Sequence, residues 1–414
     1  MNDEAQPIDV SGLTASATPR AATRASTRSG GYPLSRTIRV VAFAFALSRA
    51  LIFGVWFGVL QYPTPSTPTE ANWWEPKLVL TAPGFDGALA GLAGEYDAGW
   101  YATIAEHGYD PGPFDATAQH NWAFFPLHPL VWRAAASVTG EFPLTGIALA
   151  NLLFFVALIV VHRLALALDF DVATADRSVL ALALFPASYF FALPWTESLF
   201  LLLSASSFLA ALRERWWISG LFAALAAITR VTGLFLLPAL AILLWRRRKE
   251  VPRTAWFALA LAPIAFAAFL FHLRATTGDA LAFVHIQGTF ARPAQPTFEA
   301  VEWAFRRWDW IIEGWNFRWL NGAAMLAGIV AAIWLAWTRR IAPAVFLALG
   351  LLAPLNTATV MSGARYAIGL FPFAIALGAW TERRYVEIAL WTISAALLAL
   401  MSALYAQGVN FAGA

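Results

Sequence analysis

The chain contains no cysteine, so it can form neither a disulfide nor a thiolate metal site, and its redox compartment leaves no mark. Charge is scarce, at 13% of residues, and Lys77 and Lys249 are the only lysines. No glycine-rich phosphate loop or Rossmann-like segment is present, which argues against a soluble nucleotide-binding half. No HxxH or HExxH spacing joins the histidines. The net charge of +3 is small and the basic residues flank apolar runs without forming a stripe, so nucleic acid is not an expected partner.

What the chain has instead is apolar bulk: 59% hydrophobic and 15% aromatic residues, with a mean hydropathy of +0.61. That lies outside the range of soluble domains and predicts a polytopic membrane protein in contact with a lipid bilayer. Repeated apolar runs of roughly 17 to 25 residues suit helices crossing about 30 Å of hydrocarbon, and the alternation of a β-barrel is missing. The expected fold is all-α, with about 11 transmembrane helices in a range of roughly 9–13. Residues 1–37 are polar, rich in Ser, Thr, Ala and Arg, and read as a disordered cytoplasmic tail preceding a membrane domain over 38–414.

The distribution of Arg and Lys sets an orientation. Arg36 and Arg39 put the start of the first span, residues 38–60, in the cytoplasm. Arg163 with Arg177, Arg213 with Arg215, the run Arg246 to Lys249, Arg339 with Arg340, and Arg383 with Arg384 then share that side. The outer side receives a long first loop over 62–120, a second over 275–315, and turns near Pro194–Glu197, Arg230 and Ser362–Arg365. Residues 120–140, HNWAFFPLHPLVWRAAASVTG, are apolar enough to enter the bilayer, but a full crossing would invert every later loop. Pro126 and Pro129 favour a re-entrant or interfacial segment.

The first outer loop carries GEYDAGWYATIAEHGYD, which gathers Glu95, Asp97, Glu106 and Asp110 with four aromatic rings. At 100° per residue, Trp100, Tyr101, Ile104 and Gly108 fall within about 60° of Asp97, with Glu95 and Glu106 opposite. The stretch therefore reads as an amphipathic helix on the outer surface, with Trp100 and Tyr101 as interfacial anchors and Asp97 on the protein-facing side. A carboxylate there is costly unless paired or used. The alternative is that Asp97 only complements the helix dipole. Glu95, Glu106 and Asp115 read as solvated surface charges, and Asp110 lies in an ordinary Tyr-Asp-Pro-Gly turn. His107 and His128 lack metal-ligand spacing.

Further ionisable groups lie at the outer ends of apolar runs: Glu197 in LFPASYFFALPWTESLFLLL, Arg230 in ITRVTG, Arg365 with Tyr366 in NTATVMSGARYAIGLFPF, and His285, Gln287 and Arg292 in FVHIQGTFARP. Glu197 could equally serve a helix N-terminus, and Arg274 or Arg292 could simply snorkel. Arg230 and Arg365 suit a phosphate at a membrane boundary, because guanidinium is permanently charged and bidentate. An outer cavity with one apolar-side carboxylate and two arginines would take a lipid-bound phosphate and a hydroxyl that loses its proton. Trp100, Tyr101, Asp110, His128, Glu197, His285, Gln287 and Arg292 are the remaining candidates for substrate contact.

EYDAGWYATIAEHGYD with FFPLHPL, then FPASYFFALPWTESLFLLLS, TRVTGLFLLP and GARYAIGLFPF, occur in one order over residues 40–380. In that order they resemble the PIG-V type family, the second mannosyltransferase of glycosylphosphatidylinositol synthesis and its bacterial relatives. That resemblance implies a GT-C-like membrane glycosyltransferase whose first large extracytoplasmic loop, with its interfacial helices, carries a catalytic acid. It also implies a polyprenyl-phosphate mannose donor. The catalytic role falls on Asp97, with Tyr96 standing where the family's motif has tryptophan. Asp97 would accept a proton from an acceptor hydroxyl attacking the anomeric carbon with inversion, while Arg230, Arg365 and Tyr366 hold the donor phosphate. No cofactor or divalent metal is expected, and the acceptor is a glycan or lipid the residues do not identify. A transporter or flippase of a lipid-linked or small polar substrate is the alternative.

Overall fold

A computed structural model describes residues 32–61, 84–94, 96–290, 318–355, 360 and 362–407. The described residues form helices and 3-10 turns and no strand. In chain order the helices are α1 (Leu34–Val59), α2 (Gly84–Gly94), α3 (Asp97–His107), α4 (Leu127–Thr139), α5 (Pro143–Ala167), α6 (Val172–Leu184), α7 (Glu197–Leu212) and α8 (Trp216–Ala227). They continue with α9 (Leu236–Arg246), α10 (Leu261–Thr277), α11 (Ala282–His285), α12 (Arg318–Trp337), α13 (Ile341–Leu355), α14 (Gly363–Ile368), α15 (Phe371–Trp380) and α16 (Arg384–Ala406).

Local chemistry sets several of these boundaries. Pro33 precedes α1 in extended conformation, and Pro143 opens α5 at a position where a missing N–H costs nothing. Asp171 caps α6 by accepting a 2.7 Å hydrogen bond from the Thr174 N–H. The first helix starts at Leu34, a turn earlier than the tail boundary at residue 37 predicts, because Thr37 is already buried against α5.

Five helices among the described residues are long and apolar enough to cross a membrane: Leu34–Val59, Pro143–Ala167, Arg253–Thr277, Trp319–Trp337 and Arg384–Ala406. Large apolar side chains such as Phe43, Leu152, Phe271, Ile333 and Trp337 point outward, as a lipid environment permits. The chain is a multi-pass membrane protein. Five further apolar helices have 10–17 residues, and the expected eleven spans would require all of these and one more segment to cross as well. Helix α4, preceded by a 3-10 turn at Asn121–Ala123, has 13 residues and a length of roughly 20 Å, short of the hydrocarbon thickness.

The main core packs α5 against α7 and α6, α7 against α8, and α6 against α15. A second, aromatic core of Trp100, Tyr101, Trp122, Phe124, Phe125, Trp132, Phe269, Phe283 and Phe290 sits over α3. This overturns the expectation that Trp100 and Tyr101 anchor α3 at a lipid interface. They are 2% and 7% exposed, and every residue from Asp97 to Ala105 is buried. The cover is residues 121–139 together with Phe290: Trp100 stacks on Phe124 at 5.9 Å, and Tyr101 meets Phe124 at 5.1 Å and His128 at 5.3 Å.

The arginine-rich end holds a separate buried cluster. Thr37 Oγ1 lies 3.3 Å from His162 Nδ1, and His162 Nε2 lies 2.9 Å from Asp176 Oδ1. Nearby, Arg163 donates to the Tyr32 carbonyl and Arg177 to the Gly378 carbonyl. Helix α6 starts at this end, and the chain beyond it enters a buried turn, Ser188–Glu197, at the other.

Candidate active site

Four ionisable side chains meet at the end remote from that cluster. Asp97 opens α3, Glu197 opens α7, Arg230 follows α8, and Arg365 lies in the short α14. Arg365 Nη1 donates to Asp97 Oδ2 at 2.9 Å. Its Nε lies 3.3 Å from Glu197 Oε1, without the alignment of a hydrogen bond. Arg230 Nη1 pairs with that same Glu197 oxygen and donates to Thr196 Oγ1 at 3.2 Å. Two guanidiniums and two carboxylates thus balance in charge, with Arg365 3% and Glu197 1% exposed. Burying them is tolerable only because each has an opposite partner. Even so, Glu197 Oε2 is buried without a hydrogen bond.

Aromatic faces complete the cradle. The Arg365 guanidinium lies 4.5 Å from the Trp195 ring, and that of Arg230 lies 4.6 Å from the Tyr366 ring. Stacked, desolvated guanidinium keeps its in-plane N–H groups free to point at an anion.

The backbone entering the site is held in unusual conformations. Tyr96, immediately before Asp97, has φ 53° and ψ −130°, and Ser362, before α14, has φ 60°. Non-glycine residues at positive φ cost about 1–3 kcal/mol each and persist where packing over-determines them. The packing is visible at Gly363: an added Cβ would stand 2.8 Å from Met325 Cγ and 3.0 Å from the Asn321 carbonyl oxygen. Asn321 Oδ1 accepts the Ala364 N–H at 3.0 Å, fixing α14 and with it Arg365. Gly233 does the same for Arg230, since a Cβ there would lie 2.3 Å from the Ala226 backbone.

Asp97, Arg230 and Arg365 all face a cavity of ≈350 Å³, together with Tyr101, Tyr366, Gln287, Thr196, Thr229 and Thr232 and apolar walls from Phe124, Phe125, Phe235 and Phe290. A concave, mainly apolar cavity with a few convergent polar groups is the usual form of a small-molecule site. The predicted phosphate arginines and the predicted base therefore converge, 135 residues apart in the case of Arg230 and Arg365. Sequence reasoning did not single out Thr196, Thr229 and Thr232. Their signal lies in the quoted stretches themselves, where each threonine neighbours Glu197 or Arg230.

Other predicted contacts lie elsewhere. Trp100 is core. Asp110 is spent on its own loop, accepting from the Asn121 N–H and pairing with His120 Nδ1 at 3.0 Å. His128 is fully buried and directs Nε2 at the Pro194 carbonyl, 2.8 Å away, so that nitrogen carries the hydrogen. His285 pairs with Asp279 at 2.6 Å at the surface. Glu106 and Asp115 are exposed as expected, whereas Arg292 and Glu95 lie outside the described residues. Among the described residues no group of three His, Asp or Glu side chains is placed to hold a metal ion.

A second, more apolar groove of ≈480 Å³ lies between α3, α4 and α10, lined by Ile104, Tyr109, Leu130, Arg133, Phe269 and His272. None of the predicted residues lines it.

Comparison with known proteins places this site in context. Residues 75–248 match the family model described as Mannosyltransferase (PIG-V), a segment that includes Asp97, Glu197 and Arg230 and ends before Arg365. GPI alpha-1,6-mannosyltransferase 2 of Mus musculus is 35% identical over 159 residues, 36% of this chain and 31% of that protein. The Rattus norvegicus protein of the same name is 36% identical over 157 residues, 36% of this chain and 30% of that protein. The matched region is thus under a third of the length of these relatives. Among solved structures, the Archaeoglobus fulgidus oligosaccharyltransferase tethered to an acceptor peptide is similar at a TM-score of 0.47 and 13% identity, over 91% of this chain and 55% of that one. The archaeal oligosaccharyltransferase AglB from the same organism, in complex with an inhibitory peptide and a dolichol-phosphate, is similar at 0.46 and 13%, over 91% and 56%.

Proposed function

We propose that the chain is an inverting glycosyltransferase that moves mannose from a polyprenyl-phosphate donor to a glycan or lipid hydroxyl at the extracytoplasmic face of the membrane. The observation that carries this reading is the sharing of Arg365 between Asp97 and Glu197 at the edge of one cavity. The PIG-V match over 75–248 and the mannosyltransferase names of the relatives supply the sugar. The arginines gathered at the opposite end support the extracytoplasmic face, by the bias of Arg and Lys toward the cytoplasm.

In the reaction, the acceptor oxygen forms a bond to the anomeric carbon as the bond from that carbon to the phosphate oxygen breaks. The phosphate leaves with the electron pair, so its charge rises from one negative to two. Arg230 and Arg365 meet that added charge in a poorly hydrated pocket, where fixed cations act most strongly. The acceptor proton passes to Asp97. Arg365 ties the two events together: as it turns toward the phosphate, Asp97 loses the cation that holds its Oδ2 and becomes the stronger base. No metal is assigned a step, and the donor is a substrate, so no cofactor is invoked.

Transfer of labelled mannose from polyprenyl-phosphate mannose, in membranes carrying wild type or Asp97→Asn at matched levels, tests this. The near-isosteric variant should lose about 10²- to 10⁴-fold of the rate, the usual contribution of a general base. Undiminished transfer by Asp97→Asn would remove Asp97 from the chemistry. No transfer by the wild type would overturn the donor assignment and favour movement of a lipid-linked solute instead.

A further inference from the structure

One buried charge outside the site has no counter-ion among the described residues. Arg49 sits within α1, 7% exposed, and no carboxylate of the described residues pairs with it. Its guanidinium lies 4.6 Å from the Phe154 ring and 5.1 Å from that of Phe45. Nε donates to Ser48 Oγ at 3.3 Å, Nη1 donates to Asn151 Oδ1 at 2.9 Å, and Nη2 is buried without a partner. A cation inside an apolar span is expensive and is expected to serve a purpose. Snorkelling does not explain it, because the head group is enclosed.

The purpose is read from what Asn151 does next. Its amide nitrogen donates to the Ala192 carbonyl at 3.2 Å and to the Ile147 carbonyl at 2.7 Å. An Asn amide can be flipped, exchanging oxygen and nitrogen, and its partners decide which way it points. Arg49 can only donate, so it fixes the oxygen toward itself and the NH₂ toward Ala192. The charge-assisted bond also polarises the amide and strengthens its donation. Alongside, Phe154 stacks on Phe191 at 4.5 Å, so the guanidinium, Phe154 and Phe191 form one column.

Ala192 ends the 3-10 turn Ser188–Ala192, and the next four residues lead into Glu197. This short stretch supplies Phe190 and Trp195 beneath Arg365, Thr196 for Arg230, and Glu197 for both arginines. It is gripped from a second side by His128, which donates to the Pro194 carbonyl. We propose that Arg49 and Asn151 are positioning residues that hold the Ser188–Glu197 turn in the register that presents Trp195 and Glu197 to the two arginines. They touch no substrate and act through the Ala192 carbonyl. The consequence for function rests on the donor-phosphate reading above, whereas the brace itself does not.

The test uses the full chain in detergent. Arg49→Met and Asn151→Leu should each speed amide hydrogen exchange in 188–197 by about tenfold, while the Thr37–His162–Asp176 end exchanges as in the wild type. The double variant should exceed neither single variant appreciably, because both break one linkage. Arg49→Lys, which keeps a charged donor, should recover part of the protection. In the transfer assay these variants should raise the donor KM about tenfold and leave the acceptor KM unchanged. Unaltered exchange in 188–197, or a rise spread evenly over the molecule, overturns the brace. Faster exchange there with an unchanged donor KM overturns the positioning role. If the wild type transfers no sugar, the glycosyltransfer reading falls and the exchange arm still decides the brace.

Discussion

The two buried polar clusters at opposite ends of the bundle are built differently. At the arginine-rich end, His162 has one partner on each ring nitrogen, Thr37 and Asp176, so its own hydrogen-bonding capacity is filled. At the other end, two arginines compete for one oxygen of Glu197 while its second oxygen has none. Arg365 is divided between two carboxylates, and the two helix entries carry strained residues, Tyr96 and Ser362. A side chain whose capacity is filled has little to gain by rearranging. An over-shared one can exchange a partner at small cost, which a site that must accept an anion and release a base requires.

The most damaging way to break this contrast is Arg365→Leu. It leaves Asp97 and Glu197 buried with Arg230, paired to Glu197, as the one remaining cation of the cluster among the described residues, and removing one partner of a buried pair costs about 3–5 kcal/mol. Thermal unfolding in detergent should report that loss, with transfer abolished. Adding Asp97→Asn should restore part of the stability and none of the transfer, since the uncompensated charge is gone but the phosphate contact is not replaced. Wild-type stability in Arg365→Leu would mean that the four charges do not form one unit.

A milder test is Glu197→Gln, which keeps shape and removes the shared anion. Both arginines are then freer to bind phosphate, so the donor KM should fall or hold while kcat drops by roughly 10- to 100-fold, the pattern of a lost transition-state contact. A raised donor KM would show that Glu197 helps to bind the donor. The counterpart at the arginine-rich end is His162→Ala. It should cost about 1–3 kcal/mol through the unpaired groups left behind, with the transfer rate per folded molecule unchanged. A loss of rate there would erase the distinction between the two clusters.

Much of the site was legible because ionisable residues in apolar runs are conspicuous: Asp97, Glu197, Arg230, Arg365 and Tyr366 were all found that way and all converge. Periodicity also put Asp97 on the protein-facing side of its helix; burial does not test that face, since every residue from Asp97 to Ala105 is buried, but the hydrogen bond from Arg365 turns Asp97 toward the protein. What periodicity does not carry is the identity of the cover. It shows that Trp100 and Tyr101 share an apolar face, but Phe124, His128 and Phe290, which bury that face, lie 24 to 190 residues further on. The same limit hid the brace. The charge of Arg49 within its apolar run was visible, whereas its partner Asn151 and the carbonyl of Ala192 are joined to it only by the packing of α1 on α5.

The smallest expected effect concerns the surface clasp between Asp279 and His285, beside the segment that lines the cavity with Phe283, Val284 and Gln287. Partial burial pushes the Asp279 carboxyl up, but hydrogen bonds from His285 and the Leu281 N–H outweigh it and hold it below its ordinary value. A carboxylate whose folded value is depressed contributes stability above its unfolded value, near 3.9, and that contribution is lost as pH falls through the folded value. Protection of residues 279–287 against hydrogen exchange, taken relative to the intrinsic rate at each pH, should therefore fall on acidification below about pH 4 in the wild type. In Asp279→Asn it should already be lower at neutral pH and lack that acid step. Because exposed pairs contribute little, transfer at neutral pH should change less than twofold in this variant, roughly what a few tenths of a kcal/mol allows. A larger loss would mean that the clasp helps to shape the cavity wall, and would move His285 back among the residues that matter for substrate.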